Sequence, residues 1–135
     1  DVFVESIAKK GLNENLYFTG KIDNASCLNR QFDLFLLTSE REGGPTSVLE
    51  AMLFGIPVVS TEVGLISEII KNGENGFYEP VRNEVLLAEK VAFLLSEKKL
   101  QEKFSTINIE KVKHEFSATY IAKKTFREYS EILKS

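Results

Sequence analysis

The sequence predicts an α/β fold, a parallel sheet with helices flanking it, and three observations carry that prediction. Short apolar runs alternate along the 135 residues with stretches of helical periodicity. Glycine and proline fall at the joints between them, at Gly11, Gly20, Gly55 and Pro57. No linker, repeat or low-complexity segment interrupts the alternation, so one domain is expected.

Taken in order, residues 2–10 place Phe3, Val4, Ile7 and Ala8 at helical spacing before Gly11. Asn15 to Thr19 reads as a short strand closed by Gly20, residues 25–31 as a short helix, and Phe32 to Thr38 as a buried strand. A Gly-Gly-Pro loop leads to a helix over Thr46 to Phe54, which Gly55 ends. Pro57 to Thr61 reads as the next strand, with proline at a tolerated first position. Ser67 to Lys71 reads as a helical turn, and the Asn and Gly residues of the following N-G-E-N-G loop favour positive φ. Gly76 to Tyr78 adds a short strand, and three helices follow over roughly 83–95, 97–112 and 118–133. Such alternation predicts helices on both faces of the sheet, joined by right-handed crossovers. Three or four strands are fewer than a doubly wound domain normally has.

The bulk properties exclude several classes. The chain is 43% hydrophobic and 27% charged, with ten Phe, three Pro and no Trp, which is ordinary globular composition. A net charge of −3 gives no reason to expect nucleic acid, the basic residues being spread out apart from a modest cluster at Lys111, Lys113, Lys123, Lys124 and Arg127. One cysteine, Cys27, and one histidine, His114, make neither an internal disulfide nor a joint metal site, and this usage fits a reducing cytoplasm. Apolar runs such as Phe32 to Leu37 are far too short to span a bilayer.

The chemistry concentrates in Thr38 to Thr61, T-S-E-R-E-G-G-P-T-S-V-L-E-A-M-L-F-G-I-P-V-V-S-T. The stretch begins at the carboxyl end of a strand, where open α/β sheets bind ligands. Gly43 and Gly44 allow a ligand close to the backbone, and the helix starting near Thr46 offers the amides of Ser47 and Val48 with a positive dipole end. Glu42 precedes the loop and Glu50 lies one turn into the helix. A carboxylate accepts from two hydroxyls at once, which suits the vicinal diols of ribose and hexose. On this reading Glu50 holds a ribose, Glu42 a sugar, and the amides between them the phosphates.

This segment resembles the signature of glycosyltransferase family 4, the retaining family with the two-domain GT-B fold. The matching residues are Ser39, Glu42, Gly43, Pro45, Glu50, Ala51, Met52, Gly55, Pro57, Val58 and Val59, with Thr38 in place of the family's first proline. L-Y-F-T-G at residues 16–20 is similar to the family's strand and loop beside the base, and residues 63–77 to the segment after the signature. The resemblance covers nearly the whole chain. It implies the Rossmann-like C-terminal half of a GT-B fold, incomplete because its first strands would lie upstream of Asp1. It further implies a nucleoside diphosphate sugar as substrate, transfer of its hexose to a glycan or lipid-linked hydroxyl with retention, and no cofactor or metal. Carried over residue by residue, Glu42, Gly43 and Gly44 would lie near the transferred sugar, with Glu42 catalytic. Ser47 and Val48 would lie at the pyrophosphate, Glu50 at the ribose, and Gly20, Lys21 and Ile22 beside the base, with Pro45 and Thr46 also counted among the donor-binding residues. The family's Arg and Lys on the pyrophosphate and its acceptor-domain histidine have no counterpart in these residues, so an N-terminal acceptor domain of the same protein is the implied partner. Acceptors in the family include lipid-linked ones, so the Lys-rich helices carry the alternatives of peripheral contact with the inner face of a membrane and simple solvation.

The bland readings complete the set. Glu62 and Glu68 read as surface charges, His114 as an exposed residue and Cys27 as a small packing residue. Phe116, Tyr120, Phe126, Tyr129 and Leu133 read as core, although the resemblance sends the last helix towards the other domain and leaves part of the stripe exposed. The rival function, from a different class, is a non-catalytic nucleotide-sugar-binding or scaffold module that kept the fold. A sugar-nucleotide epimerase of GT-B type is a further alternative, against which the glutamate pair argues.

Overall fold

The structure, a computed structural model, describes residues 2–134, with side chains from Val4 onward. The Phe3 side chain, assigned above to the apolar face of the first helix, lies outside the described residues. Three parallel strands, β1 (Phe35–Leu37), β2 (Val58–Thr61) and β3 (Phe77–Glu79), form one sheet in the order β1-β2-β3. The helices are α1 (Val2–Lys9), α2 (Thr46–Leu53), α3 (Ile66–Ile69), α4 (Glu84–Ser96), α5 (Lys98–Glu115) and α6 (Ala118–Ile132), with a 3₁₀ segment over Ala25–Gln31. Each strand-to-strand connection carries a helix, as parallel pairing requires.

β2 lies between its two neighbours and is buried throughout. Successive residues of a strand face opposite sides, and Val58 and Val59 accordingly enter two different cores. Val58 packs with Val48, Ala51 and Met52 of α2, Ile66 and Ile69 of α3, and Val112 of α5. Val59 packs with Phe77, with Leu87 and Leu94 of α4, and with Phe104 of α5. Phe77 meets Phe93 and Phe104 edge-on, with ring centroids 6.0 and 5.6 Å apart. Helices therefore cover both faces of the sheet, as the alternation predicts.

Local signals set the element ends. The amides of Gly55 and Ile56 donate to the carbonyls of Met52 and Ala51, both at 3.0 Å, closing α2 with Gly55 at φ +75°. This is the Schellman arrangement, and the following Ile56 is buried. Asn83 caps α4 by accepting from the Leu86 amide at 3.3 Å, and Ser117 caps α6 by accepting from the Tyr120 amide at 3.2 Å. In the N-G-E-N-G loop only Gly73 adopts positive φ. The asparagines act through their side chains instead. Asn72 brackets Tyr78, and Asn75 accepts from the Lys71 amide while donating to the Ile69 carbonyl and to Asn108 Oδ1.

Four expectations fail. Residues 15–19 form no strand, and Leu16, Tyr17 and Phe18 are exposed. A strand exists only through its ladder, and no strand of this sheet pairs with the segment. β1 is shorter than predicted and sits at the edge of the sheet, so Leu36 is 45% exposed rather than buried. Cys27 is exposed, because the tight 3₁₀ turns bury Asn29 instead. The stripe on α6 is not core: Phe126, Tyr129 and Leu133 are 75%, 65% and 86% exposed, since α6 buries no residue against the rest of the chain. Phe116, just before α6, does pack against the core around Val58. Glu62, Glu68 and His114 are exposed, in line with the bland readings.

Candidate functional site

The loop from Thr38 to Pro45 leaves the carboxyl end of β1 and delivers the chain to α2. The β1–β2 register ends at the pair Leu37 and Ser60. Beyond it the Thr61 hydroxyl donates to the Ser39 carbonyl at 2.6 Å, so a side chain continues the connection where the ladder stops. The Ser39 hydroxyl in turn donates to Glu42 Oε1 at 2.8 Å. Glu42 is partly buried, and its second carboxylate oxygen makes no hydrogen bond among the described residues. Gly64, at φ +51°, backs the same loop: a Cβ there would lie 2.5 Å from the Glu42 carbonyl oxygen.

The start of α2 is open. Pro45 occupies its N-cap position, buried and without a side-chain hydrogen bond. Among the described residues the amides of Gly43, Gly44 and Ser47 have no hydrogen-bond partner, and neither glycine position has any atom within 4 Å of an added Cβ. These donors point to an anion. Val48 does not belong with them. Its amide, expected to be unpaired, donates to the Pro45 carbonyl at 3.0 Å, and its side chain is wholly buried. The proline at the cap tightens the first turn into a three-residue bond, which consumes that donor. Thr46 is exposed, with its amide turned back to the Gly44 carbonyl at 2.8 Å.

Beside this helix start lies a cavity of about 240 Å³ that brings together Gly20, Ile22, Ser47 and Glu50, residues from both ends of the predicted site. The 3₁₀ segment supplies its other wall through Ser26 and Asn29. The Arg30 guanidinium, 5.4 Å from the centroid of Phe54, holds that segment to the end of α2. Lys21 is exposed and does not line the cavity, and Glu42 with its glycines lies outside it, at the far end of the loop. Ser39 was matched only as part of the signature, and Thr61 and Gly64 were given no role from the sequence, because their approach to Ser39 and Glu42 depends on a chain reversal that no local spacing reveals. Among the described residues no cluster of three or more His, Cys, Asp or Glu side chains is placed to hold a metal ion. No helix among them is long and apolar enough to cross a membrane.

Fold and site together define an open α/β domain with a glycine-bearing loop at the carboxyl end of a parallel strand. Residues 1–111 match the family model described as glycosyl transferases group 1, and the chain belongs to that family. It is 31% identical over 123 residues to N-acetyl-alpha-D-glucosaminyl L-malate synthase of Bacillus anthracis, a match covering 91% of this chain and 32% of that protein. The C-terminal domain of the group 1 glycosyl transferase LpcC from Francisella tularensis superposes with a TM-score of 0.78 at 27% identity, covering 87% of this chain and 62% of that one. Alr3699/HepE of Anabaena, solved with UDP-glucose, has the same fold: TM-score 0.87 at 23% identity, covering 96% of this chain and 36% of that one. The chain thus spans about a third or less of the length of the curated relatives it matches.

Proposed function

We propose that the chain is the donor-binding, C-terminal part of a retaining family 4 transferase, moving a hexose from a nucleoside diphosphate sugar to a glycan or lipid-linked hydroxyl. The observation that carries this is the cavity at the start of α2. It joins Gly20 and Ile22 to Ser47 and Glu50, and the free amides of Gly43 and Gly44 continue from it towards Glu42. Base, ribose, pyrophosphate and sugar follow one another in that order along a nucleotide sugar. Glu50 takes the ribose hydroxyls, and the three free amides take the pyrophosphate and stabilise the charge building on it as it leaves. Glu42 takes the transferred sugar. This chain supplies no nucleophile, and the reading needs neither metal nor cofactor. The acceptor half belongs to a preceding domain, and the cytoplasm, which the cysteine usage fits, is the proposed location. The HepE structure with UDP-glucose and the glucosaminyl in the name of the Bacillus relative support the substrate class.

The test is a thermal-shift panel of UDP-glucose, UDP-N-acetylglucosamine, GDP-mannose and ADP-glucose on the intact protein, followed by calorimetry with the best ligand. Glu50→Ala is expected to weaken its binding by roughly 1.5–3 kcal/mol, the size of a lost charged hydrogen bond. Glu42→Ala is expected to reduce transfer more than it reduces binding of the nucleoside diphosphate alone. Stabilisation by none of the four ligands would overturn the reading.

A further inference from the structure

We infer that Thr61, with Gly64 behind it, is a positioning residue for Glu42; the inference rests on the role proposed above for that carboxylate. Glu42 sits on a loop with no ladder of its own, since the β1–β2 register ends at Leu37 and Ser60. Among the described residues its carboxylate accepts one hydrogen bond, from Ser39. The direction of that bond depends on where the Ser39 backbone lies. Thr61 sets this, because its hydroxyl donates to the Ser39 carbonyl at 2.6 Å from a strand residue that is 5% exposed.

Thr61 is itself held rigidly. Its carbonyl accepts from the Ser60 hydroxyl at 2.7 Å, and the next residue, Glu62, donates from its amide to the Glu79 carbonyl at 2.8 Å. Relay order therefore runs from the buried central strand outward: Thr61, Ser39, Glu42. Gly64 fixes the same loop from a second side. At φ +51° it lets the chain turn against the Glu42 peptide, and a Cβ there would come within 2.5 Å of the Glu42 carbonyl oxygen and 3.2 Å of its carbon. Only glycine fits that approach without displacing the peptide that carries the carboxylate. One oxygen of Glu42 is thus occupied and aimed, and the other stays available to a sugar hydroxyl.

The relay predicts a loss in the chemical step with little loss in nucleotide binding, because Glu50 and the Ser47 amide sit on α2 rather than on the loop that Thr61 holds. The experiment uses the intact protein and whichever of UDP-glucose, UDP-N-acetylglucosamine, GDP-mannose and ADP-glucose stabilises it most. Steady-state release of nucleoside diphosphate gives kcat and KM, and calorimetry gives the affinity for that diphosphate alone. Thr61→Val keeps the branched shape and removes the donor. We expect kcat to fall about five- to tenfold, the scale of one hydrogen bond, with diphosphate affinity within about twofold of wild type. Thr61→Ser restores the hydroxyl and is expected to restore most of kcat, which a merely structural role for the threonine would not require. Ser39→Ala is expected to show the same split and carries the test should Thr61→Val fail to fold. Wild-type kcat in Thr61→Val or Ser39→Ala, or no recovery in Thr61→Ser, overturns the relay. Glu42→Gln separates the two levels: wild-type kcat there sinks the role of Glu42 itself, and the relay with it.

Discussion

At Gly55 a single backbone angle joins helix to strand. Its φ of +75° ends α2 and turns the chain into β2, and a Cβ at this position would strike Ser105 Oγ and lie 3.0 Å from Ile109 Cδ1. Gly55→Ala combines left-handed strain with overpacking against α5, so urea denaturation should show a loss of roughly 2–4 kcal/mol. The C-terminal stop was legible from the sequence because a glycine after an apolar helical face has one usual meaning. The helix start that carries Ser47 and Glu50 into one cavity was legible for a similar reason: strand end, glycine pair and helix start are all local patterns. Thr61 was not. It meets Ser39 across 22 residues, and no rule of spacing specifies which hydroxyl of P-V-V-S-T reaches back to the loop. Val48 was misread because an amide in the first turn counts as free only until the cap residue is known, and Pro45 draws it inward.

Among the elements, the loop between α3 and β3 shows how side chains replace a ladder. Asn75 is 2% exposed and makes three hydrogen bonds, to the Lys71 amide, the Ile69 carbonyl and Asn108 of α5. Asn75→Ala leaves those buried partners unpaired, and an unpaired buried polar group costs more than a hydrogen bond gains. The expected loss is roughly 2–4 kcal/mol by urea denaturation, while Asn72→Ala, on the exposed side of the loop, should cost well under half of that. The starts of α4 and α6 fall within one residue of the expected 83 and 118, where Asn83 and Ser117 cap them. Residues 15–19 were misjudged for the opposite reason. The apolar run Leu16, Tyr17 and Phe18 describes a segment fit for a sheet, yet the hydrogen bonds that make it a strand belong to a neighbour.

For the molecule as a whole, burial is divided between the two faces of β2 and stops short of α6. Phe104 is fully buried against Phe77 and Val59, so Phe104→Ala should cost about 3–5 kcal/mol in thermal or chemical denaturation. Phe126→Ser should cost less than about 0.5 kcal/mol in this chain, because the ring already stands 75% exposed. A larger loss would mean that α6 packs more tightly than its exposure indicates. Charge adds little at this scale: the Arg82–Glu40 pair, 3.1 Å apart, joins two loops but is more than half exposed on both sides. The α/β class and its two-faced sheet were legible because alternation is a property of the whole chain.

The all-parallel sheet has a kinetic consequence. Because no two strands are joined by a hairpin, every ladder must wait for a helix to form and swing across. Loop-closure entropy is spent before any pairing rewards it, which slows folding relative to a helical bundle of the same size. The first closure is expected to be the β1–α2–β2 unit, drawn together by the glycine stop at the end of α2. In stopped-flow refolding, Gly55→Ala should therefore slow the folding limb, whereas Phe126→Ser on the outlying last helix should leave it unchanged.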